Sequence, residues 1–65
     1  MLHLVFVLTF TWLDPGVGIF TERATFDTLA ACEAAKEQKI AEKIVPDKVG
    51  MLHSRARHAA CQERS

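Results

Sequence analysis

The opening stretch of the chain, residues 2–13 (LHLVFVLTFTWL), has the pattern of a β-strand with an excess of apolar side chains. Successive side chains of a strand point to opposite sides of the sheet, so the apolar even positions form one continuous face. The odd positions are half apolar: His3, Val5, Val7, Thr9, Thr11 and Leu13. A strand that favours burial on both faces needs either a second layer of its own chain or a partner. The pattern therefore points to surface contact as the place to look for function.

A turn and a second strand follow. Asp14-Pro15-Gly16 favours a chain reversal, because proline fixes φ at the second turn position and glycine accepts a positive φ. Residues 17–25 are rich in β-formers, which predicts an antiparallel hairpin with a loop of about three to five residues. Glu22 and Arg23 in the middle of this segment are typical of an edge strand.

Residues 27–44 are predicted to form a helix. Asp27 is the expected N-cap, and the segment after it is rich in Ala, Glu, Lys and Gln without glycine or proline. Pro46 ends the helix, because the residue before a proline is driven out of the α region. The stripe expected to pack on the sheet consists of Phe26, Leu29, Ala30, Ala34, Ile40, Ala41 and Ile44.

Glu33 and Glu37 interrupt this apolar stripe. They are either boundary positions whose carboxyl groups reach solvent or an acidic pair that faces a partner.

The C-terminal part of the chain has two interpretations. Residues 45–54 are expected to form a loop. In residues 55–63, an alternation over Arg57, Ala59 and Cys61 permits a short strand, whereas the helical spacing of other apolar residues favours a second helix. The residues alone leave this choice open.

Length and charge limit the possible functions. The chain of 65 residues is interpreted as one small domain, 1–65, and a domain of that size buries only about 60% of its unfolded surface. The formal net charge is zero, which argues against a dedicated nucleic-acid-binding protein. The one basic segment has no aromatic residue between its charges and is interpreted as a solvated face: Arg55, Arg57, His58 and Arg64.

Cysteine and histidine are the residues most capable of chemistry. A bond between Cys32 and Cys61 would close a loop of about thirty residues and stabilise the fold by roughly 3–4 kcal/mol, but in a reducing compartment two buried thiols are the default. A zinc site from these cysteines with His53 and His58 lacks the paired spacing of zinc motifs. We therefore expect no metal, no cofactor, no small-molecule substrate and no enzymatic activity.

The opening stretch is not interpreted as a targeting signal. No lysine or arginine precedes Arg23, and the apolar run is too short for a spanning helix, which needs roughly twenty residues. A cytoplasmic location is expected, with the periplasm as the alternative and no membrane partner.

Residues 26–40 (FDTLAACEAAKEQKI), with the preceding hairpin and the late Cys61, resemble small proteins encoded in phages and prophages. In those proteins the late cysteine lies on a third strand that returns to the hairpin. The resemblance therefore implies an α+β fold with a β-hairpin, one long helix packed on the sheet and a short C-terminal strand (ββαβ). A second C-terminal helix (ββαα) is the alternative.

The same resemblance implies a function. Small phage proteins without enzymatic motifs commonly bind a bacterial host protein and block it, and anti-CRISPR proteins are one such class. We expect a non-catalytic inhibitor of a defence or takeover target in the host cytoplasm, with self-association as a homo-oligomer. The candidate surface residues are His3, Val5, Val7, Thr9, Thr11, Glu33, Glu37, Arg55 and Arg57. The alternative function is that of an envelope-associated or periplasmic structural protein with a Cys32–Cys61 disulfide.

Overall fold

The computed structural model describes residues 3–65 and has an α+β fold. Leu2, the first residue of the predicted strand, lies outside the described residues. The elements in chain order are β1 (Val5–Asp14), β2 (Gly18–Phe26), α1 (Leu29–Glu42), β3 (Ile44–Pro46), β4 (Leu52–Ser54) and β5 (Ala56–Arg64). The expected hairpin, helix and C-terminal strand are present, and the alternative of a second C-terminal helix is wrong.

The main sheet has three antiparallel strands in the order β2-β1-β5. β1 lies in the centre, where it pairs with β2 on one side and with β5 on the other. Leu8, for example, lies opposite Ala24 of β2 and Cys61 of β5. β2 is an edge strand, as its charged pair Glu22 and Arg23 indicates.

The loop between β1 and β2 has three residues, Pro15 to Val17, because Asp14 pairs with Gly18. The Val17 N–H donates to the Asp14 carbonyl at 3.0 Å. Gly16 has a φ of 83°, a conformation that favours glycine. The three-residue loop agrees with the length of about three to five residues that the sequence predicts.

One face of the sheet holds the core. The fully buried side chains are Leu8 and Phe10 of β1 and Cys32 of α1, and Phe6 and Trp12 on the same side of β1 pack against them. The Cα atoms span 54 × 21 × 10 Å, so the molecule is only two layers thick. A single helix therefore covers a single face of the sheet.

The helix begins one residue later than the predicted cap. Thr28 is the N-cap, with extended backbone angles, and its hydroxyl accepts from the Ala31 N–H at 3.1 Å. Asp27, the predicted N-cap, lies in the bend before it, and its carboxylate is 3.5 Å from the His3 ring. Threonine and aspartate are both good N-caps, so residue type alone does not decide which of the two adjacent positions becomes the cap.

The helix presents a different stripe to the sheet from the predicted one. Leu29 and Ile44 are 49% and 43% exposed. The inner side is formed by Cys32, Ala35 and Ile40, with the half-buried lysines in between. The residues of the predicted stripe that are exposed are Leu29, Ala30, Ala34, Ala41 and Ile44.

Lysine side chains replace the missing apolar residues on the inner stripe. Lys43 places its ammonium group 4.4 Å from the centre of the Trp12 ring, and Lys39 pairs with Glu22 of β2. Trp12 also stacks between Phe10 and Phe20, with ring centroids 5.6 and 5.5 Å away. Because a lysine stem covers apolar surface while its charge reaches water, this stripe packs on aromatic rings without an apolar sequence pattern.

The predicted loop 45–54 contains a second, two-stranded sheet. β3 and β4 pair antiparallel, with Val45 opposite His53. The Arg55 backbone joins this hairpin to the rest of the fold, since its N–H donates to the Lys43 carbonyl and its carbonyl accepts from the Leu13 N–H. The loop assignment is therefore wrong for the residues of β3 and β4.

A disulfide joins the helix to the sheet. Cys32 and Cys61 are bonded, their Cα atoms are 6.2 Å apart, and they are separated by 29 positions in the chain. Cys32 is fully buried, and Cys61 lies directly opposite Leu8. The crosslink therefore passes through the middle of the core.

Reduction of this disulfide is expected to lower the free energy of unfolding by about 3–4 kcal/mol, because the unfolded chain gains loop entropy. For a domain of this size that corresponds to a fall in Tm of roughly 15–30 °C. Thermal unfolding followed by circular dichroism, with and without a reductant, measures the change. A Cys32→Ala/Cys61→Ala variant is the control: it should show the low Tm in both conditions. Equal Tm values for oxidised and reduced wild-type protein would contradict the prediction.

Candidate interaction surface

The face of the sheet opposite the helix is open to solvent. Along β1 it presents Val5, Val7, Thr9, Thr11 and Leu13, which are half-buried between their neighbours on β2 and β5. Within residues 3–65 the only helix packs on the other side. We call this surface the open face. Apart from a register shift of β5 opposite Thr11 and Trp12, the side chains of each strand alternate regularly across it.

The register defines which residues share the open face. From β2 they are Ile19, Thr21, Arg23 and Thr25, and from β5 they are His58, Ala60, Gln62 and Arg64. Across the strands, Thr11 and Thr21 share a hydrogen bond of 3.0 Å between their hydroxyl oxygens. The open face thus has apolar and threonine side chains along its central strand, β1, and polar and basic residues along the two outer strands.

Four of the predicted surface residues come together on this face: Val5, Val7, Thr9 and Thr11. The predicted set contains no residue of β2 or of the far end of β5. The alternation of β2 and its pairing with β1 could have identified Thr21 and Arg23, since a hairpin with a short loop fixes which residues are opposite. The contribution of β5 depends on a pairing between distant parts of the chain, which no local pattern specifies.

The other predicted surface residues lie elsewhere. His3 is at the start of the described chain, beside Asp27. Glu33 is on α1 and forms a 2.7 Å ion pair with Lys36, while Glu37 is exposed on the same helix. The structure therefore does not combine the helix carboxylates with the open face into one surface.

Arg55 and Arg57 lie at the end of the sheet near the hairpin β3–β4. They line an open groove of about 390 Å³ together with Pro15, Val45, Pro46, Asp47, His53 and Ser54. Both arginines have partners: Arg55 is 3.8 Å from the Asp14 carboxylate, and Arg57 donates to the carbonyls of Ser54 and Ala56 at 3.1 and 3.3 Å. Arg57 lies at a register shift of β5. Thr11 pairs with His58 and Trp12 with Ala56, so Arg57 is the extra residue between these two pairs.

Asp47 organises the turn between β3 and β4. One carboxylate oxygen accepts from the N–H groups of Val49 and Met51, both at 2.9 Å, and the other is 2.8 Å from Nε2 of His53. The hydrogen bond with His53, followed by those from the backbone, lowers the pKa of Asp47 below its ordinary value. Since both carboxylate oxygens are hydrogen-bonded within the turn and its hairpin, we interpret the Asp47–His53 pair as structural.

The cysteines and histidines do not form the zinc site considered from the sequence. Cys32 and Cys61 are bonded to each other, and His53 is paired with Asp47. In the part of the chain that the structure describes, no group of three or more His, Cys, Asp or Glu residues is placed to hold a metal ion.

No helix among residues 3–65 is long and apolar enough to cross a membrane. Comparisons of the chain with protein-family models, with curated proteins and with solved structures find no match.

The turn at Asp47 is expected to open in acid. A carboxylate with a lowered pKa in the folded state contributes stability that is complete above its ordinary pKa of 3.8 and is lost as the pH falls through the lowered value. NMR shifts of the Val49 and Met51 amides against pH should therefore show a transition with a midpoint below 3.8.

Asp47→Asn is the matched control for this titration, because the amide oxygen still accepts from the backbone but has no proton to gain. In that variant the two amides should not respond to pH in this range. A wild-type midpoint at or above the ordinary value would show that the hydrogen bonds do not stabilise the ionised form.

Proposed function

We propose that this protein is a non-catalytic binding protein, and that the open face is its working surface. The observation that carries the proposal is the uncovered side of β1, where Val5, Val7 and Leu13 are half-buried side chains on the central strand of the sheet. Apolar side chains in the centre of a surface with polar residues around them are the arrangement found in protein interfaces. In line with the resemblance to phage and prophage proteins, we further propose that the bound protein is a bacterial host factor, such as a defence target, and that binding blocks it.

The strand order restricts how such binding occurs. β1 has a partner on each side, so its backbone is not free to pair with another chain. Addition of a strand from another molecule to β1 therefore does not fit this strand order. A partner is instead proposed to bind through the side chains of the open face.

The edge strand β2 is a poorer docking position. Glu22 and Arg23 lie in its middle, and charged residues on an edge strand oppose pairing with another strand. Glu22 is also held by Lys39 of the helix. These features support the open face over the β2 edge as the binding surface.

The test is a Val5→Lys/Val7→Lys variant. Two ammonium groups in the centre of the open face should abolish binding, while the core on the other face keeps its side chains. The disulfide and the circular dichroism spectrum should be unchanged, and affinity capture from bacterial lysate should lose the proteins that wild type retains. Val49→Lys, at a position that is 79% exposed in the β3–β4 turn, is the matched control and should capture the same proteins as wild type.

A milder variant, Val7→Thr, covers the case in which the double lysine variant does not fold. It keeps the shape and the β-branched character of the side chain but removes apolar area, so binding should weaken without loss of structure. Capture of the same proteins by wild type and by a folded Val5→Lys/Val7→Lys variant would overturn the proposal.

A second candidate function is that of an envelope-associated or periplasmic structural protein. The observation in its favour is the disulfide, since disulfides persist in oxidising compartments and are rare in the bacterial cytoplasm. With only three fully buried side chains among residues 3–65, the fold depends strongly on this bond.

Thiol labelling in cells separates the two candidates. Rapid acid quenching of bacteria that express the chain, followed by alkylation under denaturing conditions and mass measurement, reports the state of Cys32 and Cys61. Unmodified cysteines in the periplasmic fraction would support the envelope candidate. Two alkylated cysteines in the cytoplasmic fraction would support the host-factor inhibitor.

A further inference from the structure

The charges of the sheet are separated between its two faces. On the open face the strands contribute Arg23, Arg64 and His58, and none of their open-face residues is acidic. The acidic strand residues Asp14, Glu22 and Glu63 lie at positions of the opposite face, since they are paired with Gly18, Phe10 and Phe6. A chain with a formal net charge of zero therefore presents a basic surface on one side.

The basic groups of the open face are not neutralised within the described chain. Over residues 3–65, neither Arg23 nor Arg64 has a carboxylate within 4.0 Å, and Arg64 donates instead to the amide oxygen of Gln62 at 3.1 Å. The acidic residue that follows β2, Asp27, is at the end of the face and lies beside His3. Exposed arginines without a carboxylate partner are available for a carboxylate of another molecule.

The open face is too small to bind a partner by apolar contact alone. From Val5 to Leu13 the central strand extends about 27 Å, and three strands are about 14 Å wide, which gives roughly 400 Å² for the whole face. A standard protein interface buries about 800 Å² on each partner. The charged residues of the face must therefore contribute to recognition, and the charged strand residues on this face are basic.

We infer that the open face binds an acidic protein surface, one in which carboxylates surround an apolar centre. This inference rests on the proposed function and specifies its partner. Arg23 on one edge and Arg64 on the other receive the carboxylates, while Val5, Val7 and Leu13 receive the apolar groups. The polar threonines between them tolerate water in the contact.

A second copy of the chain fits this surface poorly. Two open faces in contact would bring Arg23 and Arg64 of both copies into one interface, and the strand residues of neither face would supply a carboxylate. Like charges across an interface oppose association. The charge pattern thus favours a different protein over the homo-oligomer expected from the sequence.

Nucleic acid is also a poorer partner than an acidic protein. The centre of the face consists of valine, threonine, alanine and leucine side chains, without an aromatic residue on which a base could stack. Two arginines and one histidine provide few phosphate contacts for a nucleic-acid site.

The experiment uses the whole oxidised protein, labelled with ¹⁵N, and defined probes. The probes are poly-glutamate, a glutamate–tyrosine copolymer, oligothymidylate, and vesicles of phosphatidylglycerol with phosphatidylcholine. The copolymer should shift the amides of Thr9, Thr21 and Arg23 and should bind more tightly than poly-glutamate, because it offers apolar groups together with carboxylates. Raising the salt from about 50 to about 200 mM should weaken the binding several-fold.

The charge-reversal variant Arg23→Glu/Arg64→Glu should bind the copolymer roughly tenfold more weakly. Lys48→Glu, the same change of sign in the exposed β3–β4 turn, is the matched control and should bind as wild type does. Both positions of the double variant are exposed, so its circular dichroism spectrum should match that of wild type.

Four results would overturn the inference: equal copolymer affinity of wild type and the double variant, stronger binding of oligothymidylate, stronger binding of the vesicles, or shifts of the open face that grow with protein concentration alone. The last would identify a second copy as the occupant. The proposed function fails separately, since it requires that Val5→Lys/Val7→Lys lose its captured proteins. Retention of these proteins by Arg23→Glu/Arg64→Glu would refute only the acidic partner.

Discussion

The bond between Cys32 and Cys61 is the constraint on which the rest of this small fold depends. It connects the helix to the strand that pairs with the middle of β1. In the part of the chain that the structure describes, only two side chains besides Cys32 are fully buried, Leu8 and Phe10. A domain of this length buries too little apolar surface to have a wide margin of stability. One covalent connection at the centre therefore does what a larger core does in longer chains.

The same bond fixes the rotation of the helix about its axis. Once Cys32 points at the sheet, helical geometry places Ala35, Lys36, Lys39 and Lys43 on the same side. Ala30, Ala34 and Ala41 of the predicted stripe are exposed instead, and lysine stems take their place. Lys43 over Trp12 and Lys39 beside Glu22 show how long basic side chains serve as packing groups in a two-layer protein.

Local patterns predicted the elements that are stabilised locally. The hairpin β1–β2, its short loop after Asp14, and the existence of the helix all follow from residue types that are close in sequence. Of the predicted helix face only Phe26 and Ile40 pack against the core, because the bond to Cys61, 29 positions away, overrides the apolar periodicity. The N-cap was wrong by one residue because Asp27 and Thr28 are adjacent and both residue types are good caps. The β3–β4 hairpin was missed because its turn is held by a single aspartate, Asp47, whose acceptor role no apolar alternation signals.

The candidate surface shows the same division between local and distant information. The side of β1 that stays open could be predicted, since alternation alone assigns Val5, Val7, Thr9 and Thr11 to one face. The charge of the open face could not be predicted, because the formal net charge sums the residues of both faces of the sheet. Pairing of β1 with β2 and β5 sorts arginines to one face and carboxylates to the other, and only the register contains that information. On the helix face Glu22 is paired with Lys39 of α1, whereas Arg23 and Arg64 lie on the face that the helix leaves open. The choice of partner thus follows from the same two-layer geometry that leaves one face of the sheet uncovered.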